Sequence, residues 1–198
     1  GMYPFPLIED GDFDIPSVYM KDVDGERLAK HEGESVSLEI RAERRPAKAC
    51  NVIARKGAFS QGRVVYMAHI DTKPNTPGAI DNASGIIVLL LLAELLADYQ
   101  GELGLEIIAI NGEDYYAASG EMHYLRTQSV TFPQILLAVN MDGAGYHQSN
   151  TAYSHYNPPE EVTQAIRQTF ASRQGMMEGD PWYQSDHSLF VQNQVPAL

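Results

Sequence analysis

Three apolar runs rich in β-branched residues alternate with helix-like segments along this chain of 198 residues. The predicted strands are residues 63–68, 105–110 and 135–141, and the predicted helices are residues 81–98, 119–128 and 158–173. Strand and helix alternating in this way predict an α/β fold. The strand over 63–68 has no polar residue after Arg63, which is typical of a strand covered on both faces. We therefore expect three layers: a mixed, mostly parallel twisted sheet with helices on both faces.

Polar residues follow each of these strands or open the helix after it. The candidates are His69, Asp71, Asp81, Glu113, Asp114 and Asp142. Because parallel strands deliver their carboxyl ends to one edge of a sheet, we expect these side chains to converge. Imidazole and carboxylate together suit zinc and related divalent ions. Glu113 is then left over as a base beside the metal, and the pattern predicts a metal-dependent hydrolase.

Local patterns add three further expectations. Residues 86–93 are apolar almost all round the predicted helix, which indicates a helix buried against the sheet. Residues 36–40 alternate between apolar and polar, as a half-buried strand does. Asn82 either orients Asp81 or caps the helix that follows.

The composition limits the partners and the kind of site. A net charge of −12 argues against nucleic acid and anionic membranes as partners. The most apolar run, residues 86–97, contains Glu94 and is too short to span a bilayer. A single cysteine, Cys50, excludes a zinc site built from thiolates. No signal peptide is visible at the amino terminus, and the sequence leaves both the compartment and the oligomeric state open.

The motifs match a known family in order and spacing. They are Ala68-His69-Ile70-Asp71, Gly78-Ala79-Ile80-Asp81-Asn82-Ala83-Ser84-Gly85, Asn111-Gly112-Glu113-Asp114, Asn140-Met141-Asp142 and Ser185-Asp186-His187. This set resembles the zinc aminopeptidase family of metallopeptidase clan MH, the co-catalytic two-zinc exopeptidases related to glutamate carboxypeptidase and glutaminyl cyclase. The resemblance implies a zinc-exopeptidase fold and a metallopeptidase catalytic domain over residues 41–198. Residues 13–40 resemble the tail of a protease-associated domain, so residues 1–40 are expected to be a remnant of that module.

The resemblance also implies a role for each candidate residue. His69 and Asp142 would hold one zinc ion, Asp81 would bridge it to a second, and Asp114 would bind the second ion alone. Glu113 would act as the general base. Asp71 would accept a hydrogen bond from the second ring nitrogen of His69 and so fix its tautomer. The expected cofactor is one or two zinc ions, and the expected substrate is a peptide with a free amino terminus.

Two departures from the family pattern keep alternatives open. Asp114 stands where the family has Glu, and the family's last ligand is a His beyond Pro196-Ala197, whereas this chain stops at Leu198. We therefore expect a domain truncated at its carboxyl end with an incomplete second site. The alternatives are a single-metal enzyme resembling glutaminyl cyclase and a non-catalytic binding module. His187 could replace the missing ligand. The matching Ser-Asp-His segment of the family supplies no metal ligand, so this chain would then differ from the family.

Aromatic residues near the motifs are candidates for a substrate pocket. They are Tyr115, Tyr116 and Trp182, although ordinary packing is the simpler interpretation of all three.

Overall fold

A computed structural model describes residues 18, 20–41, 43, 46–73, 75–114 and 118–198. Within it the chain divides into two compact units, residues 1–48 and 49–198. The boundary predicted after residue 40 falls a little before this division, which lies after Lys48. Assignment of the first unit to a protease-associated module, of which residues 1–17 lie outside the described residues, stays a prediction.

The first unit contains a short helix and no strand among its described residues. Helix α1 spans Asp22–Leu28, and a 3₁₀ turn follows over Ala29–His31. The strand predicted over residues 36–40 does not form, and its apolar side chains lie exposed. An alternating pattern makes a strand only where a partner strand and a core exist for it, and the unit provides neither within its described residues.

The second unit is built on a four-stranded sheet. Its elements in chain order are β1 (Val52–Lys56), β2 (Arg63–His69), α2 (Ala83–Leu95), β3 (Gly104–Ile110), α3 (Ser119–Gln128), a 3₁₀ turn (Ser129–Gln134), β4 (Ile135–Asn140), β5 (Thr151–Tyr153), α4 (Glu160–Ala171), β6 (Met176–Glu178) and α5 (His187–Gln192). The sheet order is β1-β3-β2-β4, with β5 and β6 forming a separate parallel pair. The strands predicted over residues 63–68, 105–110 and 135–141 and the helices predicted over 81–98, 119–128 and 158–173 are confirmed to within a few residues at either end. No sequence pattern predicted β5, β6 or α5.

Strand β2 is the centre of the sheet and pairs in parallel with both neighbours. Its partner positions run from Arg63 opposite Gly104 to His69 opposite Ile110 on β3, and Met67 lies opposite Asn140 on β4. Strand β1 is antiparallel to β3, so the sheet is mixed and mostly parallel, as expected. Because β2, β3 and β4 point the same way, the residues that follow them leave the sheet at one edge.

Helices cover both faces of this sheet. Val65 and Met67 of β2 point to one face and join a buried cluster with Tyr124 of α3 and Phe190 of α5. The intervening β2 residues point to the other face, where α2 contacts β2 and β3. This arrangement confirms the predicted three-layer α/β architecture.

Helix α2 is less buried than its sequence predicts. Gly85 and Leu89 are its buried residues. Leu90, Leu91 and Leu95 are 66%, 60% and 80% exposed. One face of α2 meets the sheet, and no other described element contributes enough contact to cover the opposite face. Apolar composition therefore indicated the helix correctly and its burial incorrectly.

The end of the chain lies along the edge strand β4. The Asn140 amide donates to the Leu198 carbonyl at 2.8 Å, and the Leu198 amide donates to the Ala138 carbonyl at 2.8 Å. Ala197 is fully buried within the core cluster. This segment therefore supports β4 at the point where its carboxyl end delivers Asp142.

A buried charged network holds α3 against the sheet. Glu106 of β3 is fully buried and lies 2.5 Å from Arg55 Nε and 3.7 Å from Arg63 Nε. The Tyr124 hydroxyl donates to Glu106. Burial and the adjacent carboxylate raise the pKa of Tyr124, so the hydroxyl keeps its proton and acts as a donor. The network is structural, because Arg63 begins β2 and Glu106 lies near the start of β3, away from the carboxyl ends that carry the candidate site residues.

No described helix combines the length and the apolar content that crossing a membrane requires.

We expect Tyr124→Phe to lower the free energy of unfolding by about 1–3 kcal/mol, because it leaves the Glu106 carboxylate short of a buried donor. Urea denaturation measures the change. The matched control is Tyr146→Phe, which removes a surface hydroxyl bonded to Gln148 and should change stability by less than about 0.5 kcal/mol. Equal effects of the two substitutions on the free energy of unfolding would show that the buried Tyr124–Glu106 hydrogen bond stabilises the fold no more than the surface one.

Candidate metal centre

His69 forms the floor of the candidate site. It ends β2, and its side chain is fully buried. Its Nε2 atom lies 3.0 Å from Asp81 Oδ1, 3.4 Å from Asp142 Oδ1 and 3.9 Å from Glu113 Oε2. The side chain of Asp81 is 58% exposed, so the cluster opens to solvent on that side. The strand ends thus bring together one imidazole and several carboxylates, as their positions along the sequence predict.

Asp114 completes the group. Candidate ligand atoms of His69, Asp81 and Asp114 all lie within 4.8 Å of one another. Asp114 is 4% exposed, and burial followed by the charge of Asp81 raises its pKa. These distances suit one metal ion, which the three side chains would hold together.

Asp71 acts differently from the expectation. The Nδ1 atom of His69 lies 3.0 Å from the Asp71 backbone carbonyl, whereas the Asp71 carboxylate is 3.9 Å away. That carboxylate instead accepts the backbone amides of Gly112 at 2.8 Å and Asp114 at 3.0 Å. The residue therefore serves twice: its carbonyl sets the His69 tautomer, and its side chain holds the turn that carries Glu113.

Two glycines allow the close approaches that shape the site. Gly112 has a φ of +109°, and a Cβ there would lie 2.6 Å from Ser119 Oγ. A Cβ on Gly85 would lie 2.2 Å from the Met141 carbonyl. The site loops and the start of α2 therefore pack at distances that only glycine permits at these positions.

Asn82 caps α2 rather than orienting Asp81. Its Oδ1 accepts the Gly85 amide at 3.0 Å and the Gly143 amide at 3.3 Å. Its Nδ2 donates to the Met141 carbonyl at 2.9 Å. Asn82 thus ties the start of α2 to the loop that carries Asp142. The peptide bond between Asp81 and Asn82 is cis.

Ser185 contacts the site directly, although no sequence pattern assigned it a role. Its hydroxyl donates to Asp142 Oδ2 at 2.8 Å and accepts from Asn140 Nδ2 at 2.9 Å. This bond leaves Asp142 Oδ1 on the side of His69. The Ser-Asp-His segment was visible as a motif, but only the fold shows that its serine lies against a strand end.

His187 does not join the cluster. Its Nε2 contacts the Trp182 carbonyl at 2.5 Å, and its Nδ1 lies 3.5 Å from Asn140 Nδ2. Burial lowers its pKa. A neutral imidazole with both nitrogens directed elsewhere is a structural histidine, so the structure gives no support to His187 as a stand-in ligand.

A second pair of acids lies buried near the cluster. Glu121 is 5% exposed and Asp186 is 1% exposed. Glu121 Oε2 and both Asp186 carboxyl oxygens lack hydrogen-bond donors within the described part of the chain. Burial, followed by the charge of the neighbouring Glu121, raises the pKa of Asp186 well above its usual range. Two adjacent buried carboxylates repel one another when both are charged, so burial and this repulsion favour the protonated form of the pair. No feature of the sequence indicated this pairing.

The side chains around His69 carry more negative charge than positive charge. Burial by itself would lower the pKa of His69, but the adjacent Asp142 carboxylate, with Glu113 and Asp186, raises it to about 10. Burial raises the pKa of Glu113 to about 7, and the charges of Asp142, Asp114 and Asp81 add to that rise. For Asp142, burial is outweighed by the adjacent His69 ring and by the hydrogen bond from Ser185, so its pKa is lowered. The cluster therefore attracts positive charge.

Buried atoms without partners show that a metal ion fits here. His69 Nε2 and Asp114 Oδ2 are both buried, and neither has a hydrogen-bond partner of acceptable geometry among the described residues. Leaving such atoms unpaired is costly, and a divalent cation satisfies them together. One imidazole and several carboxylates form a donor set that zinc accepts.

Comparison with known proteins points to the same chemistry. Residues 51–198 match peptidase family M28. The aminopeptidase YwaD of Bacillus subtilis (strain 168) is 25% identical over 142 residues, which are 70% of this chain and 31% of that protein. The chain thus spans about a third of this curated relative.

Two solved structures share the fold. The leucine aminopeptidase precursor of Bacteroides thetaiotaomicron VPI-5482 is 26% identical, with a TM-score of 0.60 covering 76% of this chain and 63% of that one. BSAP, a zinc aminopeptidase from Bacillus subtilis, is 23% identical, with a TM-score of 0.61 covering 74% of this chain and 38% of that one. The described sheet and helices are those of this structural group.

We expect His69→Ala to weaken zinc binding by about 100-fold or more, because it removes the one imidazole from the ligand set. Isothermal titration with zinc measures the affinity. The control His147→Ala removes an exposed histidine of the loop after Asp142 and should leave the affinity within about twofold. Equal affinities of all three proteins would place the zinc elsewhere.

Zinc binding near pH 7 should release about one proton from His69, because the ion binds only neutral imidazole. In the metal-free protein the pKa of His69 is about 10, so the ring is protonated at neutral pH. Affinity should therefore rise as the pH is increased toward this pKa. Titration in two buffers of different ionisation enthalpy counts the protons, and heats that are independent of the buffer would contradict the prediction.

Proposed function

Because this chain belongs to peptidase family M28, we propose that it is a zinc-dependent exopeptidase that removes amino-terminal residues from peptides. The observation that carries the proposal is the placement of His69 Nε2 within 3.9 Å of oxygens from Asp81, Asp142 and Glu113. Imidazole and carboxylate converge there at the carboxyl edge of a mostly parallel sheet, where such folds bind their ligands. The aminopeptidase relatives support the choice of substrate.

The proposed ligands divide the cluster between the metal and the proton chemistry. His69, Asp142 and Asp81 would hold one zinc ion, and Asp81 and Asp114 would hold a second where it binds. Zinc at this position supplies a Lewis acid that lowers the pKa of water and polarises a peptide carbonyl. The Asp71 carbonyl turns the His69 ring so that Nε2 faces the ligand carboxylates.

Glu113 is the proposed general base. Its side chain is 21% exposed, so it is accessible from the open side of the site. Burial raises its pKa to about 7, which makes it a stronger base than an ordinary surface carboxylate. It would take a proton from the attacking water and pass it to the nitrogen of the leaving amine. Asp71 holds the turn in which Glu113 lies through the amides on either side of it.

Substitution of Glu113 tests this role. We expect Glu113→Gln to lower kcat for an aminoacyl p-nitroanilide by about 10²–10⁴-fold, because the amide accepts no proton. Zinc affinity, measured by titration, should stay within about threefold of wild type. Glu161→Gln, an exposed substitution on α4, is the control and should leave both quantities unchanged. Hydrolysis at the wild-type rate by Glu113→Gln would remove this residue from the mechanism.

The nature of the products separates the alternatives. An aminopeptidase releases free amino acids from peptides and leaves N-acetylated peptides intact. A cyclase acting on a peptide that begins with glutamine would release ammonia and leave the peptide bonds whole. A binding module would take up zinc and turn over neither substrate. Mass spectrometry of the products, with ammonia assayed in parallel, distinguishes the three results, and only the first agrees with the proposal.

A further inference from the structure

The outer face of helix α2 exposes a continuous group of aliphatic side chains, which we call the α2 patch. Its members are between 37% and 80% exposed, and they are Ile87, Val88, Leu90, Leu91 and Leu95. Because residues four apart share one face of a helix, Ile87, Leu91 and Leu95 form a stripe along the middle of the patch. Apart from β2 and β3, which meet the opposite face, no described helix or strand packs closely on α2. Exposed apolar surfaces of this kind mark places that another molecule covers.

The α2 patch carries almost no charge in a chain whose net charge is −12. Residues 83–93 contain no acidic or basic residue, and Glu94 is the one charged residue of the helix. The net charge disfavours an anionic membrane as the occupant of the patch. A basic protein would bind to the acidic surfaces of the chain in preference to an uncharged helix face. The patch therefore favours a partner that is itself aliphatic and uncharged at the contact.

A second copy of this chain presents such a surface. Copies related by a two-fold axis bring the same face of each molecule together, and an uncharged aliphatic helix face is complementary to itself. Two chains of the same net charge repel each other wherever their acids meet, and the α2 patch brings the fewest acids together. Leu91 lies midway between Ile87 and Leu95 along the helix. An antiparallel crossing at Leu91 would therefore bring Leu95 of each copy beside Ile87 of the other.

The position of Glu94 favours the antiparallel arrangement. Each Glu94 would lie three residues from the crossing point, on opposite sides of it. At 1.5 Å per residue, the two carboxylates would be separated by about 9 Å along the helix axes. A parallel crossing would place them directly opposite each other, which is destabilising.

The size of the α2 patch indicates a weak interface. Five exposed aliphatic side chains on one helix amount to roughly 300–600 Å², whereas a standard interface takes about 800 Å² from each partner. Val88 extends the apolar surface into a cavity of about 690 Å³ beside the candidate metal centre, which Val139, Phe170 and Asp142 also line. We therefore expect a dissociation constant in the micromolar range.

We propose that the α2 patch is the interface of a two-fold symmetric dimer of this chain, in which the two α2 helices pack antiparallel and cross near Leu91. The inference goes beyond the proposed function, because it uses no residue of the metal centre. It accounts for a helix that is apolar almost all round and yet has one uncovered face in the single chain.

Sedimentation velocity tests the dimer. The chain should pass from monomer to dimer as its concentration is raised through the micromolar range, and added sodium chloride should tighten the dimer by screening the repulsion between acidic copies. Leu91→Glu should raise the dissociation constant at least about 30-fold, because the two-fold axis places both new carboxylates against each other. The matched control, Val130→Glu, adds the same charge at a residue that is 91% exposed and outside the patch. It should change the constant less than about threefold.

Cysteine cross-linking tests the geometry without adding charge. Cys50→Ser removes the exposed natural cysteine and provides the background for both variants. Leu91→Cys in this background should form a disulfide-linked dimer on mild oxidation, because residues at the crossing point face their own counterparts across the axis. Val130→Cys in the same background should stay monomeric. Should Leu91→Glu fail to fold, as judged by circular dichroism, this measurement decides the inference.

The outcomes are exclusive. A dimer that is lost in Leu91→Glu and trapped through Leu91→Cys supports the inference. A wild-type chain that stays monomeric throughout the micromolar range overturns it, as does a dimer that both glutamate variants weaken equally. Growth into assemblies larger than a dimer also overturns it, because a closed two-fold contact stops at two copies.

Discussion

The parallel pairing of β2 with β3 on one side and β4 on the other is the constraint on which the site depends. Because three strands run the same way, a histidine that ends one strand lies beside the acidic loops that leave the other two. His69 is fully buried at that edge, and its Nε2 lies within 3.9 Å of oxygens of Asp81, Asp142 and Glu113. An antiparallel arrangement of any of these strands would carry its loop to the opposite edge and dissolve the cluster.

This pairing creates an electrostatic problem that shapes the surrounding structure. Several acids crowd one imidazole, and burial together with mutual repulsion raises the pKa of Glu113 and Asp114. The chain holds these groups in place with neutral donors, since the amides on either side of Glu113 bond to Asp71 and a serine hydroxyl bonds to Asp142. A cation then relieves the repulsion at little structural cost, because the ligands are already oriented.

The cavity beside the site depends on a different kind of organisation. It lies against the last residues of β4 and the loop around Trp182, and its aromatic wall comes from the β5, β6 and α4 segment. The hydroxyl of Tyr156 bonds the backbone of that loop at both its amide and its carbonyl. The proposed metal ligands and the aromatic wall of the cavity thus come from separate parts of the chain. Asp142, at the boundary between them, belongs to both.

Much of the architecture could be predicted from the sequence because it follows from local pattern. Apolar runs bounded by turn residues marked β2, β3 and β4, and the order of motifs indicated the family. The convergence of His69 with the acids followed from strand direction. Short elements such as β5 and α5 carry too few residues for a periodic signal, and their existence depends on contacts far along the chain.

What the sequence alone determined was therefore the kind of fold, the family and the set of acids and imidazole that meet at one edge. Only the tertiary structure decided that Asp71 serves through its carbonyl as well as its carboxylate, that Ser185 bonds Asp142, and that Glu121 meets Asp186. It also left one face of α2 exposed and directed both nitrogens of His187 away from the cluster. The physical reason is that residue type and spacing specify which groups a strand delivers to an edge. Hydrogen-bond partners and burial are set by segments distant in sequence, which only the folded chain brings together.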